Sequence, residues 1–155
     1  MEIVGVCQKF GLGIIPWSPL GGGMLTGKYK REEEPESGSR FAAPGPFQEV
    51  WKRRAFRGRN FEIVDVVVDE AGKLGVSPIA LSLAWNMGRP GVVSPIIGPK
   101  SVAQLQDNLA ALDVDLPAET AQRINDASEP RIGYPHDFLR MVRQMQAQLQ
   151  AAGRN

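Results

Sequence analysis

The sequence predicts an α/β fold assembled from strand–helix units, and three observations carry that reading. Two short apolar runs, Gly13-Ile14-Ile15-Pro16-Trp17 and Val92 to Ile97, each end in a polar, glycine-bearing turn. Helical periodicities lie between and after them, the alternation expected of a parallel sheet. The chain has 155 residues, 43% hydrophobic and 23% charged, enough for one ordinary globular domain and too apolar for a disordered chain.

Ile3, Val4, Cys7 and Phe10 recur at helical spacing, and Gly11 closes that segment as a helix cap would. The run 13–17 follows as a short buried strand. Residues 18–46 are rich in Gly, Pro and Ser without a period, a loop long enough to be functional. A short helix is expected over 47–57. In 61–74 the β-branched run Ile63 to Val68 suggests a strand. Phe61, Val64, Val67 or Val68, Ala71 and Leu74 nevertheless keep helical spacing over more residues than one strand holds, so a helix is predicted, ended by Gly75.

Ser77-Pro78 supplies an N-cap and a first-turn proline to a helix running through Trp85 to Met87. Val92 to Ile97 is the second buried strand. Ser101 opens a helix with Leu105, Leu109 and Leu112 on one face, Pro117 opens another, and 135–152 forms a Gln-rich amphipathic helix. Residues 1–128 read as one unit and 129–155 as a helical tail. Two strands are too few for a sheet with both faces protected, and a complete (β/α)8 barrel takes about 250 residues.

Eighteen Lys and Arg against seventeen Asp and Glu leave a net charge of +1, which provides no global attraction to nucleic acid or an anionic membrane. The basic stretch Trp51 to Arg59 is offset by Glu32, Glu33, Glu34 and Glu36 and reads as a solvated face. The single Cys7 permits no internal disulfide. No signal-type opening and no run long enough for a bilayer is present, so a soluble, cytoplasmic chain is expected.

In parallel α/β folds, ligands gather at the carboxyl ends of strands. Here those ends are Trp17-Ser18-Pro19-Leu20-Gly21-Gly22 and Ile97-Gly98-Pro99-Lys100-Ser101. Glycine admits a ligand close to the backbone, and a helix start at Ser101 offers N–H groups to an anion beside the Lys100 charge. The Trp17 indole offers a flat face to a ring. Together they suit a phosphate-bearing ligand with an aromatic head, although the spacing is neither a Rossmann nor a Walker fingerprint. Plainer readings stand beside this one. Trp17 is equally a packing residue, the glycines a turn, Lys28 and Arg40 solvated charges, and Ser101 with Gln104 a capping box.

Taken whole, "GIIPWSPLGGGMLTGKY" resembles the seventh-strand segment of the aldo-keto reductases, and "VVSPIIGPKSVAQLQDNLAAL" the eighth strand and its helix. "SPIALSLAWNM" is similar to the helical segment between them, and "SGSRF" to an arginine-bearing loop. The likeness covers most of residues 2–128 in the right order. It implies the C-terminal portion of a (β/α)8 TIM barrel, with two parallel strands and flanking helices, that binds NADP(H).

Under that resemblance Trp17 stacks on the nicotinamide, while Ser18, Leu20, Gly21 and Gly22 line the pyrophosphate. Lys28 and Arg40 clasp it from the long loop. Gly98, Lys100 and Ser101 meet the adenosine-side phosphates, Lys100 taking the 2′-phosphate. Gln104, Asp107 and Asn108, spaced to share a helix face, read the adenine and its ribose. Pro99 departs from the family pattern, because it has no N–H to offer a phosphate.

The family reduces small-molecule carbonyl compounds, using a Tyr, Lys, Asp and His from earlier strands. None of the four maps onto this chain, so no catalytic residue is assigned and the chain alone is expected to be inactive. Tyr29, Tyr134 and His136 lie outside the matching catalytic motifs. Three readings follow: the C-terminal part of such a reductase, paired with a missing N-terminal half; a non-catalytic nucleotide-binding or regulatory module; or a chain not stably folded alone, whose open strand edges invite aggregation or self-association. No nucleic acid, membrane or metal partner is expected.

Overall fold

A computed structural model describes residues 2–130 and 133–152. Residues 131, 132 and 153–155 of the predicted tail, and Met1, lie outside the described residues. In chain order there follow α1 (Glu2–Phe10), 3-10 turns at Gly21–Thr26 and Arg40–Ala42, α2 (Pro46–Ala55), α3 (Gly58–Leu74) and α4 (Pro78–Met87). Next come α5 (Val102–Leu109), a 3-10 turn at Ala110–Asp113, α6 (Ala118–Ser128) and α7 (His136–Ala152).

The caps are those the sequence predicts. Ser77 Oγ accepts from Ala80 N at 3.0 Å, with Pro78 in the first turn of α4. Gly75, at φ 68°, ends α3: Val76 N donates to Ala71 O and Gly75 N to Gly72 O, satisfying carbonyls that a straight helix end leaves open. Two ends move. Helix α3 starts at Gly58 rather than 61, and α5 stops at Leu109, with Leu112 in the 3-10 turn that follows.

The predicted strands need correction. Among the described residues they meet only through two isolated parallel bridges, Ile14 with Val92 and Trp17 with Ile96. Ile14 N donates to Gly91 O at 2.7 Å and Val93 N to Ile14 O at 3.0 Å, one complete parallel rung. The next rung would need the N–H groups of Pro16 and Pro95, and proline has none. The bridges therefore lie three positions apart on the first segment and four on the second, and Ile96 N reaches Pro16 O at 2.9 Å.

The two segments are also not buried on both sides. Ile15, Trp17, Val93 and Ile96 are 58%, 65%, 65% and 55% exposed, whereas parallel strands are ordinarily covered on both faces. Ile3, Val6 and Phe10 of α1 and Val102 and Leu109 of α5 are exposed too, so their apolar stripes find no cover among the described residues.

The core lies around α3 and α4. Phe61, Val64, Val67 and Ala71 form the buried stripe of α3, as their spacing predicts. Phe61 and Val64 pack with Met24, Tyr29 and Phe41, which fastens the 21–42 loop to the helices. Val67 and Ala71 meet Leu81 and Ile124, joining α3, α4 and α6. Ala80 and Leu83 meet Ala111, with Leu20 and Ile97 packed alongside. That third cluster seats the carboxyl ends of both bridged segments on the helical layer.

A polar tie accompanies this packing. Buried Glu70 accepts from Lys73 Nζ at 2.7 Å, Thr120 Oγ1 at 2.9 Å and Arg123 Nη1 at 3.3 Å, linking α3 to α6. The Lys73 hydrogen bond, helped by Thr120 and by the charges of Lys73 and Arg123, holds the Glu70 carboxyl below its ordinary range against the opposing effect of burial.

Candidate functional site

Parallel pairing of Trp17 with Ile96 brings the turns that follow each segment to the same end. Trp17 ends the first segment, its ring 5.8 Å from that of Trp51 at 69°, an edge-to-face contact. Phe47 stands 5.7 Å from Trp51 in turn. The Trp17 indole is thus steadied from one side by α2 while remaining largely exposed, a geometry suited to accepting a planar ring.

The chain then turns sharply. Ser18 takes φ 51°, a left-handed conformation that costs a non-glycine residue strain and is concentrated at functional turns. Gly22 and Gly23 follow at φ 70° and 97° inside the 3-10 turn. A Cβ at Gly22 would lie 2.9 Å from Phe41 Cζ and 3.5 Å from Arg40 Cδ. One at Gly23 would lie 3.1 Å from Lys28 Cε and 3.3 Å from its Nζ. The Lys28 and Arg40 side chains, 12 positions apart in sequence, therefore converge on adjacent glycines.

Lys28 rests over the Tyr29 ring, 5.0 Å from its centroid. Neither Lys28 nor Arg40 forms an ion pair with another described residue. Two hydroxyls of the same loop, Tyr29 Oη and Ser39 Oγ, are buried with no hydrogen-bond partner among the described residues. A glycine cradle, two cations without counter-charge and stranded donors fit the phosphates of a dinucleotide.

At the second segment's end, a Cβ at Gly98 would meet nothing within 4 Å, so the backbone there is open to approach. Ser101 Oγ accepts from Gln104 N at 3.2 Å, and Gln104 Oε1 accepts from Lys100 N at 2.7 Å. Ser101 thus caps the helix as expected, but Gln104 reaches back to the N–H of Lys100, one residue before the N-cap of a reciprocal capping box, and the two bonds occupy the Ser101 oxygen and one end of Gln104. The Lys100 ammonium is exposed and forms no ion pair with a described residue. Gln104 and Asp107 are exposed but Asn108 is 8% exposed, so the three do not present one solvent face.

The ring contact of Trp51 and the stranded hydroxyls of Tyr29 and Ser39 do not show in the sequence; they emerge only where α2 and the loop fold against the glycine turn. His136 begins α7, away from these residues in sequence. Among the described residues no group of three His, Cys, Asp or Glu is placed to hold a metal, and no helix is long and apolar enough to cross a membrane.

The aldo/keto reductase family model matches residues 1–129. The uncharacterized oxidoreductase YrpG of Bacillus subtilis is 32% identical over 126 residues, which cover 81% of this chain and 35% of that protein. The norsolorinic acid reductase stcV of Emericella nidulans is 33% identical, over 89% of this chain and 32% of its own length. The aldo-keto reductase yakc [NADP(+)] of Schizosaccharomyces pombe is 32% identical, over 82% and 36%. The chain spans about a third of the length of these curated relatives. Its motifs, their order and this match agree, and the chain belongs to the aldo/keto reductase family.

Proposed function

We propose that this chain is the NADP(H)-holding end of a (β/α)8 reductase of small-molecule carbonyl compounds, its bridged segments standing as two neighbouring barrel strands. The observation that carries the reading is the convergence of Lys28 and Arg40 on Gly22 and Gly23, beside the exposed Trp17 face. The relative named as an NADP(+) enzyme supports the choice of cofactor.

When bound, NADPH supplies a hydride to a carbonyl carbon. This chain's residues serve that chemistry by binding and orientation. Trp17 offers its indole face to the nicotinamide, and Ser18, Leu20, Gly21 and Gly22 let the pyrophosphate approach the backbone. Lys28 and Arg40 neutralise its charge. Gly98, Lys100 and Ser101 serve the adenosine-side phosphates, with Lys100 at the 2′-phosphate, and Gln104, Asp107 and Asn108 the adenosine.

The acid that protonates the carbonyl oxygen, and the groups that tune it, correspond to no position here. Turnover therefore needs the rest of the barrel. The bare side of the bridged segments, with Ile15, Val93 and Ile96 exposed, supports packing of further strands there, since barrel interiors are filled by such side chains. The lone Cys7 is compatible with a reducing compartment, and we place the protein in the cytoplasm.

Tryptophan fluorescence tests the assignment. Saturable quenching by NADPH that shrinks in a Trp17→Phe variant is the expected result. A folded chain whose emission is untouched at millimolar cofactor rejects it.

A further inference from the structure

We infer that Tyr29 is a further ligand of the anion seated on the glycine turn, its phenolic hydroxyl donating a hydrogen bond to a pyrophosphate oxygen held between Lys28 and Arg40. The inference rests on the cofactor reading above and adds to it a residue that neither the sequence motifs nor the family resemblance assigns.

Tyr29 is only 5% exposed, and its Oη has no hydrogen-bond partner among the described residues. Buried phenols normally find a partner, because a donor removed from water without one is disfavoured. Core packing alone does not account for the hydroxyl. The Tyr29 ring lies 5.2 Å from Phe41 and 5.4 Å from Phe56, in an aromatic cluster where phenylalanine would fill the same space.

The position of the ring explains what packing does not. A Cβ at Gly23 would lie 3.5 Å from Tyr29 Cε2, the ring carbon next to the one bearing the hydroxyl. The same Cβ would lie 3.3 Å from Lys28 Nζ. Phe41, against which Tyr29 packs, approaches Gly22 together with Arg40. The phenol thus stands at the glycine turn, within the group that gathers both uncompensated cations. Ser39 Oγ, beside Arg40 in sequence, is a second stranded donor of the same loop. A phosphate oxygen satisfies such donors and cations together. A neutral ligand would leave the cations unpaired.

The test is the Tyr29→Phe variant of the 155-residue chain, titrated calorimetrically with NADPH and with inorganic pyrophosphate, and melted without ligand. Phenylalanine keeps the ring packing and removes only the hydroxyl. The inference predicts an unliganded melting point equal to or above that of the parent, because an unsatisfied buried group has gone. It also predicts affinity for both probes reduced about tenfold or more, the usual loss for a hydrogen bond to a charged group.

Unchanged affinity for both probes overturns the inference while leaving the cofactor reading intact. A lower melting point with unchanged affinity overturns it too, by showing that the hydroxyl has a structural partner. A parent chain that is folded and binds neither probe overturns the cofactor reading, and this inference with it.

Discussion

Substituting Gly22 by alanine probes the joint between fold and site. The residue sits at φ 70°, where an added Cβ would come within 2.9 Å of Phe41 Cζ. Phe41 has little room to retreat, because its ring is 3% exposed and held between Tyr29 at 5.2 Å and Phe56 at 5.5 Å. The left-handed backbone costs an alanine about 1–2 kcal/mol, and forcing an extra carbon into a packed aromatic cluster about 1–3 kcal/mol more. Gly22→Ala should therefore destabilise the chain by about 2–5 kcal/mol, read as a lower urea midpoint at unchanged slope. Gly23→Ala is the internal control. Its φ is also positive, but the nearest atoms are the far end of the flexible Lys28 side chain, so only the backbone cost of about 1–2 kcal/mol applies. A Gly22→Ala variant that loses no more stability than Gly23→Ala would refute the claim that Phe41 is wedged against the turn.

Further outcomes follow from the same geometry. Gly98→Ala meets open space and should change stability by less than about 0.5 kcal/mol in urea unfolding, while lowering NADPH affinity if phosphate approaches that backbone; intact affinity would remove Gly98 from the site. Ser77→Ala deletes the acceptor for Ala80 N and should cost about 1 kcal/mol, with loss of α4 amide protection in hydrogen exchange as the check. Glu70 titrates below its ordinary value of 4.5 when folded, so the unfolded chain binds the extra proton. Its contribution is complete above that value and is lost as pH falls through the folded value. The stability gap between the parent and Glu70→Gln should accordingly hold at neutral pH and shrink on acidification below 4.5; a gap constant down to about pH 3 contradicts the sign.

Local chemistry made the helices legible. Gly75 and Ser77-Pro78 punctuate the chain with groups that satisfy helix ends without tertiary help, and the α3 stripe faces the core as its spacing requires. The strands were legible as apolar runs but not as a broken ladder. Pro16 and Pro95 interrupt it only because pairing sets them against the same rung, which no local pattern reveals. The exposure of Ile15 and Val93 is in line with two strands being too few to protect both faces, although each run taken alone reads as a buried strand. At the candidate site, motif and order point to Gly22, Lys28 and Arg40. The approach of Lys28 to Gly23, the ring contact of Trp51 and the stranded Tyr29 hydroxyl do not show in the sequence, because they depend on how the long loop folds back over the turn. Asn108 illustrates the converse: helical spacing grouped it with Gln104 and Asp107, yet packing buries it alone.

The central claim is that Lys28 and Arg40 hold a dinucleotide phosphate over the glycine turn, and one titration tests it most directly. NADPH added to the 155-residue chain in a calorimeter should bind once per chain and weaken by about tenfold or more in the Lys28→Ala/Arg40→Ala double variant, since two charge-assisted contacts are lost. Binding that survives the double substitution unchanged, in a variant that melts at the parent's temperature, would contradict the account.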